Sequence, residues 1–383
     1  MAGEDPILEF TRTHCALLGK DLEEIAADAL KSLFGHVYYV WRTFKPAFGE
    51  ELGVKLYGNV WAELGRMSFA GAMQKLALDR VPDLPTLGRI VRECFIGVPA
   101  LYVIKRNDAN EHVGHVLWCA NPAYGPADNI YDRHEYYRKE VYLTYVYLWT
   151  LIEEAKKKGL RQAITVDMPS GRCRDGACGA CQVVLRTQDA DPARHLPEVE
   201  NRFIEQEIGD QEPVRFILRE QGRTFEEQAP ATFSGFFAVD LLAWVQLFGN
   251  APEAANRIYC RLWDNYREPW LKEAKLALEI GRVTSAQDLA AIIAYCQRRR
   301  YVAFARHDGA DGTVHLRSIA DPFVEIAGMF NAPAAYKQAL VEMDRHFIAG
   351  LTRDLHLEER ARSSIVSHIA AGAARTEISV ALD

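Results

Sequence analysis

The sequence has no excess of positive charge: 45 Lys and Arg stand against 52 Asp and Glu, a formal net charge of −7. Phosphate-binding surfaces need a basic footprint, so dedicated DNA or anionic-membrane binding is not expected. Arg298-Arg299-Arg300 is a local basic run, and three adjacent charges read as a solvated face. Long apolar stretches are also scarce. The most apolar run, Val141–Ile152, is too short to cross a bilayer and is interrupted by Thr and Tyr. The opening residues, Met-Ala-Gly-Glu-Asp-Pro, hold no basic stretch followed by an apolar one, so no secretory signal is expected. These absences predict a cytoplasmic protein without a membrane or nucleic-acid partner. There is no phosphate-binding glycine loop, no G-x-S-x-G elbow and no H-E-x-x-H helix, which leaves Ser/His/Asp catalysis without local support.

What is present is ordinary globular material. The 383 residues are 49% hydrophobic and 25% charged, enough for two buried cores. Eight cysteines fall at positions 15, 94, 119, 173, 178, 181, 260 and 296. In a cytosolic chain of this size they read as thiols or metal ligands rather than a disulfide framework. Five are scattered, and three cluster.

The two halves match weakly, about 200 residues apart. Tyr57-x3-Trp61 answers Tyr259-x3-Trp263, and Leu76, Val81, Leu87, Ile90 and Cys94 answer Leu278, Val283, Leu289, Ile292 and Cys296. Val116 with Asn121-Pro122 answers Val314 with Asp321-Pro322, and Cys181–Leu185 answers Thr376–Val380. Each half reads as helices, then a short helix with polar capping residues near Asp83 or Ser285. Polar turns then join two strands, Ala100–Lys105 to Gly114–Cys119 and Tyr301–Arg306 to Val314–Ser318. A long helix over Tyr136–Lys158, with Gly159 as its left-handed cap, precedes a last strand pair, Ala163–Val166 and Gln182–Leu185. The expected fold class is α+β, two tandem copies of a domain of helices and antiparallel sheet. The expected boundaries are 1–187 for the first copy, 188–231 for a linker and 232–383 for the second copy. The counterparts of Cys173, Cys178 and Cys181 are His368, Ala373 and Thr376, so the second copy lacks the cysteine cluster and serves for structure, dimerisation or a pocket wall.

The strongest chemical signal is Cys173-Arg-Asp-Gly-Ala-Cys178-Gly-Ala-Cys181, a C-x4-C-x2-C spacing between two short strands. Thiolates so spaced converge on one ion or cluster because the intervening residues make a tight loop. Gly176 and Gly179 permit positive φ and aim backbone N–H groups at the sulfurs, while Arg172 and Arg174 favour the ionised thiols. The loop resembles the cluster-binding loop of plant-type [2Fe–2S] ferredoxins over some fifteen residues. Those proteins carry a fourth cysteine about thirty residues downstream, whereas the next one here is Cys260. Cys119, at the end of a strand, is the expected fourth ligand, ahead of Cys94 and Cys260, which read as small buried hydrophobes. The wider pattern of each half also resembles the 4-vinyl reductase domain and the L-2-amino-thiazoline-4-carboxylate hydrolase-like proteins. That resemblance implies a small aromatic or heterocyclic ligand and a cysteine-bound metal near the end of the domain.

Other residues invite chemistry less strongly. In Tyr131-Asp-Arg-His-Glu-Tyr-Tyr137, His134 is a candidate general base oriented by Asp132 or Glu135, although the same residues suit a polar first helical turn capped by Asp132. Tyrosines 131, 136, 137, 142, 145 and 147 with Trp149 suit an aromatic pocket or, at helical spacing, a core. His115 alternates with Val116 and reads as solvated. The leading expectation is a cytoplasmic iron–sulfur protein that relays electrons to a redox partner or activates a small molecule, with oxidoreductase, lyase or hydrolase activity left open. The alternative is a zinc protein that hydrolyses or senses a small molecule. A homo-oligomer is compatible with either.

Overall fold

A computed structural model describes residues 5–120, 130–169, 180–191, 193–199 and 204–383, with backbone only for 130–139 and 205. It is a mixed α and β structure with two separate four-stranded antiparallel sheets. The chain divides into two compact units, Leu22–Val239 and Met1–Asp21 with Asp240–Asp383.

In the unit Leu22–Val239, apolar residues at helical spacing make two long helices, α2 (Leu22–Phe48) and α3 (Glu50–Lys75). The shorter α4 (Leu84–Gly97) starts where Asp83 accepts a hydrogen bond from the Thr86 amide at 2.9 Å, the cap expected from the sequence. Strands β1 (Ala100–Asn107) and β2 (Glu111–Cys119) form a hairpin whose turn is held by Asp108, which accepts from the amides of Asn110 and Glu111. Helix α5 (Ile130–Lys157) ends at Gly159, which adopts the left-handed conformation with φ of 106°. Strands β3 (Ile164–Asp167) and β4 (Cys181–Thr187) complete a sheet of order β1-β2-β4-β3.

Two short helices follow, α6 (Ile204–Ile208) and α7 (Pro213–Gln221). The 188–231 stretch expected as a linker therefore belongs to this compact unit. Val214, Phe216, Ile217 and Leu218 of α7 are buried, and so is Gln228. Its first part covers the sheet: Gln182 donates to the Pro197 carbonyl at 2.9 Å and Arg106 to the His195 carbonyl at 3.1 Å.

The other unit begins with α1 (Pro6–Leu18), which groups with the second half of the chain rather than with a 1–187 domain. Helix α8 (Phe225–Asn250) contains the division between the units. It is long and apolar enough to cross a membrane by length and composition, and it is mostly buried. Sequence reading points to Val141–Ile152 as the most apolar run instead. There follow α9 (Ala255–Ala277), α10 (Ala286–Arg299), β5 (Ala303–Asp308) and β6 (Val314–Ala320). Helices α11 (Pro322–Met329) and α12 (Ala334–Asp354) precede β7 (Ala361–Ser367) and β8 (Glu377–Leu382). Ser285 and Asp288 form a reciprocal capping box at the start of α10. The sheet order is β5-β6-β8-β7.

Both sheets carry a bulge at the same place. Leu101 and Tyr102 pair with Trp118 and Val116, which leaves Leu117 unmatched. Ala303 and Phe304 pair with Ala320 and Ser318, which leaves Ile319 unmatched.

Candidate functional site

The bulge decides where Cys119 points. Ala100 and Tyr102 are two apart on β1, share one face and belong to the buried core. Their partners on β2 are Cys119 and Val116, so the extra residue turns Cys119 onto the same face as Val116. Val116 in turn faces Cys181, the first residue of β4. Cys119 and Cys181 are thus half-buried thiols on adjacent strands, both packed against one core from one face of the sheet. Cys173, Cys178, Arg174, Gly176 and Gly179 lie outside the described residues.

Cys94 and Cys260 are buried, and burial pushes both thiols up, Cys260 to about 12. Both belong to the buried hydrophobic core, which suits a packing role. Asp132 and His134 fall inside α5, which runs from Ile130, so Asp132 is not the cap of a helix starting near Tyr136. Their side chains lie outside the described residues.

His112 and His115 are both fully buried, against the expectation of a solvated His115. Alternation places His115 away from Val116 correctly, but the chain up to Pro197 covers that second face. His115 there lies 3.2 Å from Gln182.

Arg300 also departs from the sequence reading. Its guanidinium is buried over the rings of Trp263 and Phe323, at 4.8 and 4.9 Å from their centroids, and pairs with Asp344. Burial alone would raise the Asp344 carboxyl. The Arg300 charge, with hydrogen bonds from His368 and Gln297, holds it well below the usual carboxylate range. Asp321, Asp344 and His368 place ligand atoms within 4.8 Å of one another, a spacing that fits a cation. The nitrogens are committed elsewhere. His368 Nδ1 accepts from the Ala370 amide at 3.0 Å, so Nε2 carries the proton and donates to Asp344 at 2.9 Å. Asp321 accepts from the amides of Phe323 and Val324 at the start of α11. With Arg300 supplying the positive charge, the cluster is a closed ion-pair network.

The unit Leu22–Val239 contains a cavity of about 340 Å³, enclosed by α2, α3, α4, α8 and Tyr147 of α5. Its wall is mostly apolar, including Phe34, Val37, Leu64 and Ala72, with Trp61, Cys94 and Tyr147. Sequence reading named Tyr147 among the aromatic residues but missed Trp61 as a lining group; its place in the Tyr-x3-Trp repeat was the available signal. Tyr142 and Trp149, from the same tyrosine-rich stretch, are exposed.

Comparison with protein-family models, with curated proteins and with solved structures gives no match.

Proposed function

We propose that the unit Leu22–Val239 is an iron–sulfur domain in which Cys119 joins Cys173, Cys178 and Cys181 as the ligand set. The observation that carries this reading is the placement of Cys119 and Cys181 on one face of adjacent strands. A fourth thiol absent from the downstream sequence is thereby supplied from β2. The other described cysteine of the unit, Cys94, is buried in α4, where burial pushes its thiol up.

We also infer that the two units descend from one duplicated domain, and the second then serves as a template for the first. Asp321 follows Ala320, opposite Ala303, as Cys119 follows Trp118, opposite Leu101. Ser318 bonds Thr376 as Val116 faces Cys181. His368 precedes Thr376 by as many residues as Cys173 precedes Cys181. In the second unit the two corresponding residues, Asp321 and His368, converge within 4.8 Å. This pairing supports Cys119 with Cys173, and it replaces the sequence match of Asn121 with Asp321.

When bound, a cluster supplies one-electron transfer or, at an open coordination position, Lewis-acid activation of a small molecule. The residues of the chain hold and shield it. Pairing with β1 fixes Cys119 opposite Ala100, pairing of β2 with β4 fixes Cys181 opposite Val116, and the core packs against both thiols. The test is metal and acid-labile sulfide analysis of anaerobically purified protein with its visible spectrum. Iron with sulfide and broad visible absorption is expected. Stoichiometric zinc without sulfide would overturn the iron–sulfur assignment in favour of a zinc thiolate site, and neither metal would overturn both.

A further inference from the structure

We propose that the cavity of the unit Leu22–Val239 binds an uncharged, largely apolar small molecule that carries one hydrogen-bond acceptor and a planar portion. This site is separate from the cysteine centre. The volume, about 340 Å³, is in the range of small-molecule sites and far above what one or two waters fill.

Two donors in its wall lack partners. The Tyr147 side chain is 4% exposed. Its hydroxyl lies beside Ser68 and Cys94, both of which also line the cavity, so it sits at the cavity wall. Neither neighbour meets it in hydrogen-bonding geometry. The Trp61 indole N–H, on the ring packed edge-on to Tyr147 at 6.2 Å, is likewise buried without a partner. A buried donor left unsatisfied is costly, and a ligand carbonyl, ether or heterocyclic nitrogen removes that cost.

The charges at the cavity define what it rejects. Arg223 is paired with Glu93, which also takes Arg92 at 2.9 Å, and Lys75 is paired with Glu227 at 3.3 Å. A carboxylate or ammonium entering the apolar interior would lose its hydration and have to break an existing pair to be compensated.

The second unit shows what the space against this indole accepts. Val98, in the cavity wall, is the C-cap residue of α4, and Arg300 is the C-cap residue of α10. Trp263 is the counterpart of Trp61 in the Tyr-x3-Trp repeat. There the flat Arg300 guanidinium lies over the indole at 4.8 Å, held by Asp344. The first unit has Val98 in place of that arginine and leaves the space open. One site per chain follows.

Three probes of similar size separate these requirements: acetophenone (neutral, with an acceptor), benzoate (anionic) and ethylbenzene (no acceptor). Binding is read by tryptophan fluorescence and by the shift in melting temperature at millimolar probe. Acetophenone is expected to bind at one per chain, at least about tenfold more tightly than benzoate. Replacing Tyr147→Phe removes a hydroxyl that makes no internal hydrogen bond, so the free protein keeps its melting temperature. The variant should lose roughly tenfold in affinity for acetophenone and nothing for ethylbenzene. Trp61→Phe should reduce binding of both. Benzoate binding as tightly as acetophenone, an unchanged acetophenone affinity in Tyr147→Phe, or no binding by any probe would each overturn the proposal. Cys119→Ser protein should bind acetophenone normally, which keeps this result independent of the metal assignment.

Discussion

His112 lies on the core face of β2, where the Tyr102 hydroxyl donates to its Nε2 at 2.8 Å and its Nδ1–H donates to Asn107 Oδ1 at 3.0 Å. Asn107 passes the chain on by donating to the Pro85 carbonyl at 2.9 Å. This network serves a neutral imidazole, and burial pushes the His112 pKa down from 6.5 to about 4. The unfolded chain takes up this proton below about pH 6.5 while the folded chain resists it, so the stability is complete above that pH and falls as pH drops toward 4. The difference corresponds to about 3 kcal/mol. Urea unfolding between pH 7 and 4 should show a steeper loss for the wild type than for His112→Gln, and parallel curves would contradict the burial argument. No feature of the local sequence separates this histidine from a solvated one, since its partner Tyr102 lies on the neighbouring strand. Arg300 makes the same point. Arg298-Arg299-Arg300 reads as a solvated triplet, yet its last member caps a helix into a core that supplies Asp344 from a distant helix.

Elements whose signals are local were readable. The hairpin turns, the Asp83 and Ser285 caps and the Gly159 stop each depend on a few neighbouring residues, and each stands where its side-chain chemistry put it. Elements set by contacts far along the chain were not. The 188–231 segment is polar and proline-bearing, and the sheet face it covers and the buried side of α7 make it part of a domain. The bulge at Leu117 is also silent in the sequence, since a slip of one residue leaves the apolar run of β2 unchanged. Gly114 marks how closely this sheet is packed. A Cβ there would collide with the Tyr102 hydroxyl that reaches over it to His112. Gly114→Ala should therefore destabilise the unit by roughly 1–3 kcal/mol through overpacking. In the Tyr102→Ala background, where the colliding hydroxyl and ring carbons are both gone, the same substitution should cost clearly less. Equal costs in the two backgrounds would show that the glycine answers to backbone conformation instead.

At the scale of the whole molecule, the two units carry the same sheet order and the same bulge while their polar interiors differ. One has two cysteines on a common face and an apolar cavity with unpaired donors. The other fills the corresponding positions with Asp321, His368, Asp344 and Arg300, an ion-paired network. Under the proposed duplication, the first copy would keep the proposed site and the second would serve as a scaffold. The metal-binding reading of the C-x4-C-x2-C loop rests on its spacing alone and stays a proposal. Its fourth ligand could be suggested only as a strand end, and the argument for it comes from register. The account turns on Cys119. The decisive measurement is the iron and sulfide content of Cys119→Ser and Cys94→Ser proteins purified anaerobically beside the wild type. Cys119→Ser should lose most of its cluster and Cys94→Ser should keep it, with both remaining folded by circular dichroism. Full retention in Cys119→Ser, or equal loss in the two, would contradict Cys119 as the fourth ligand.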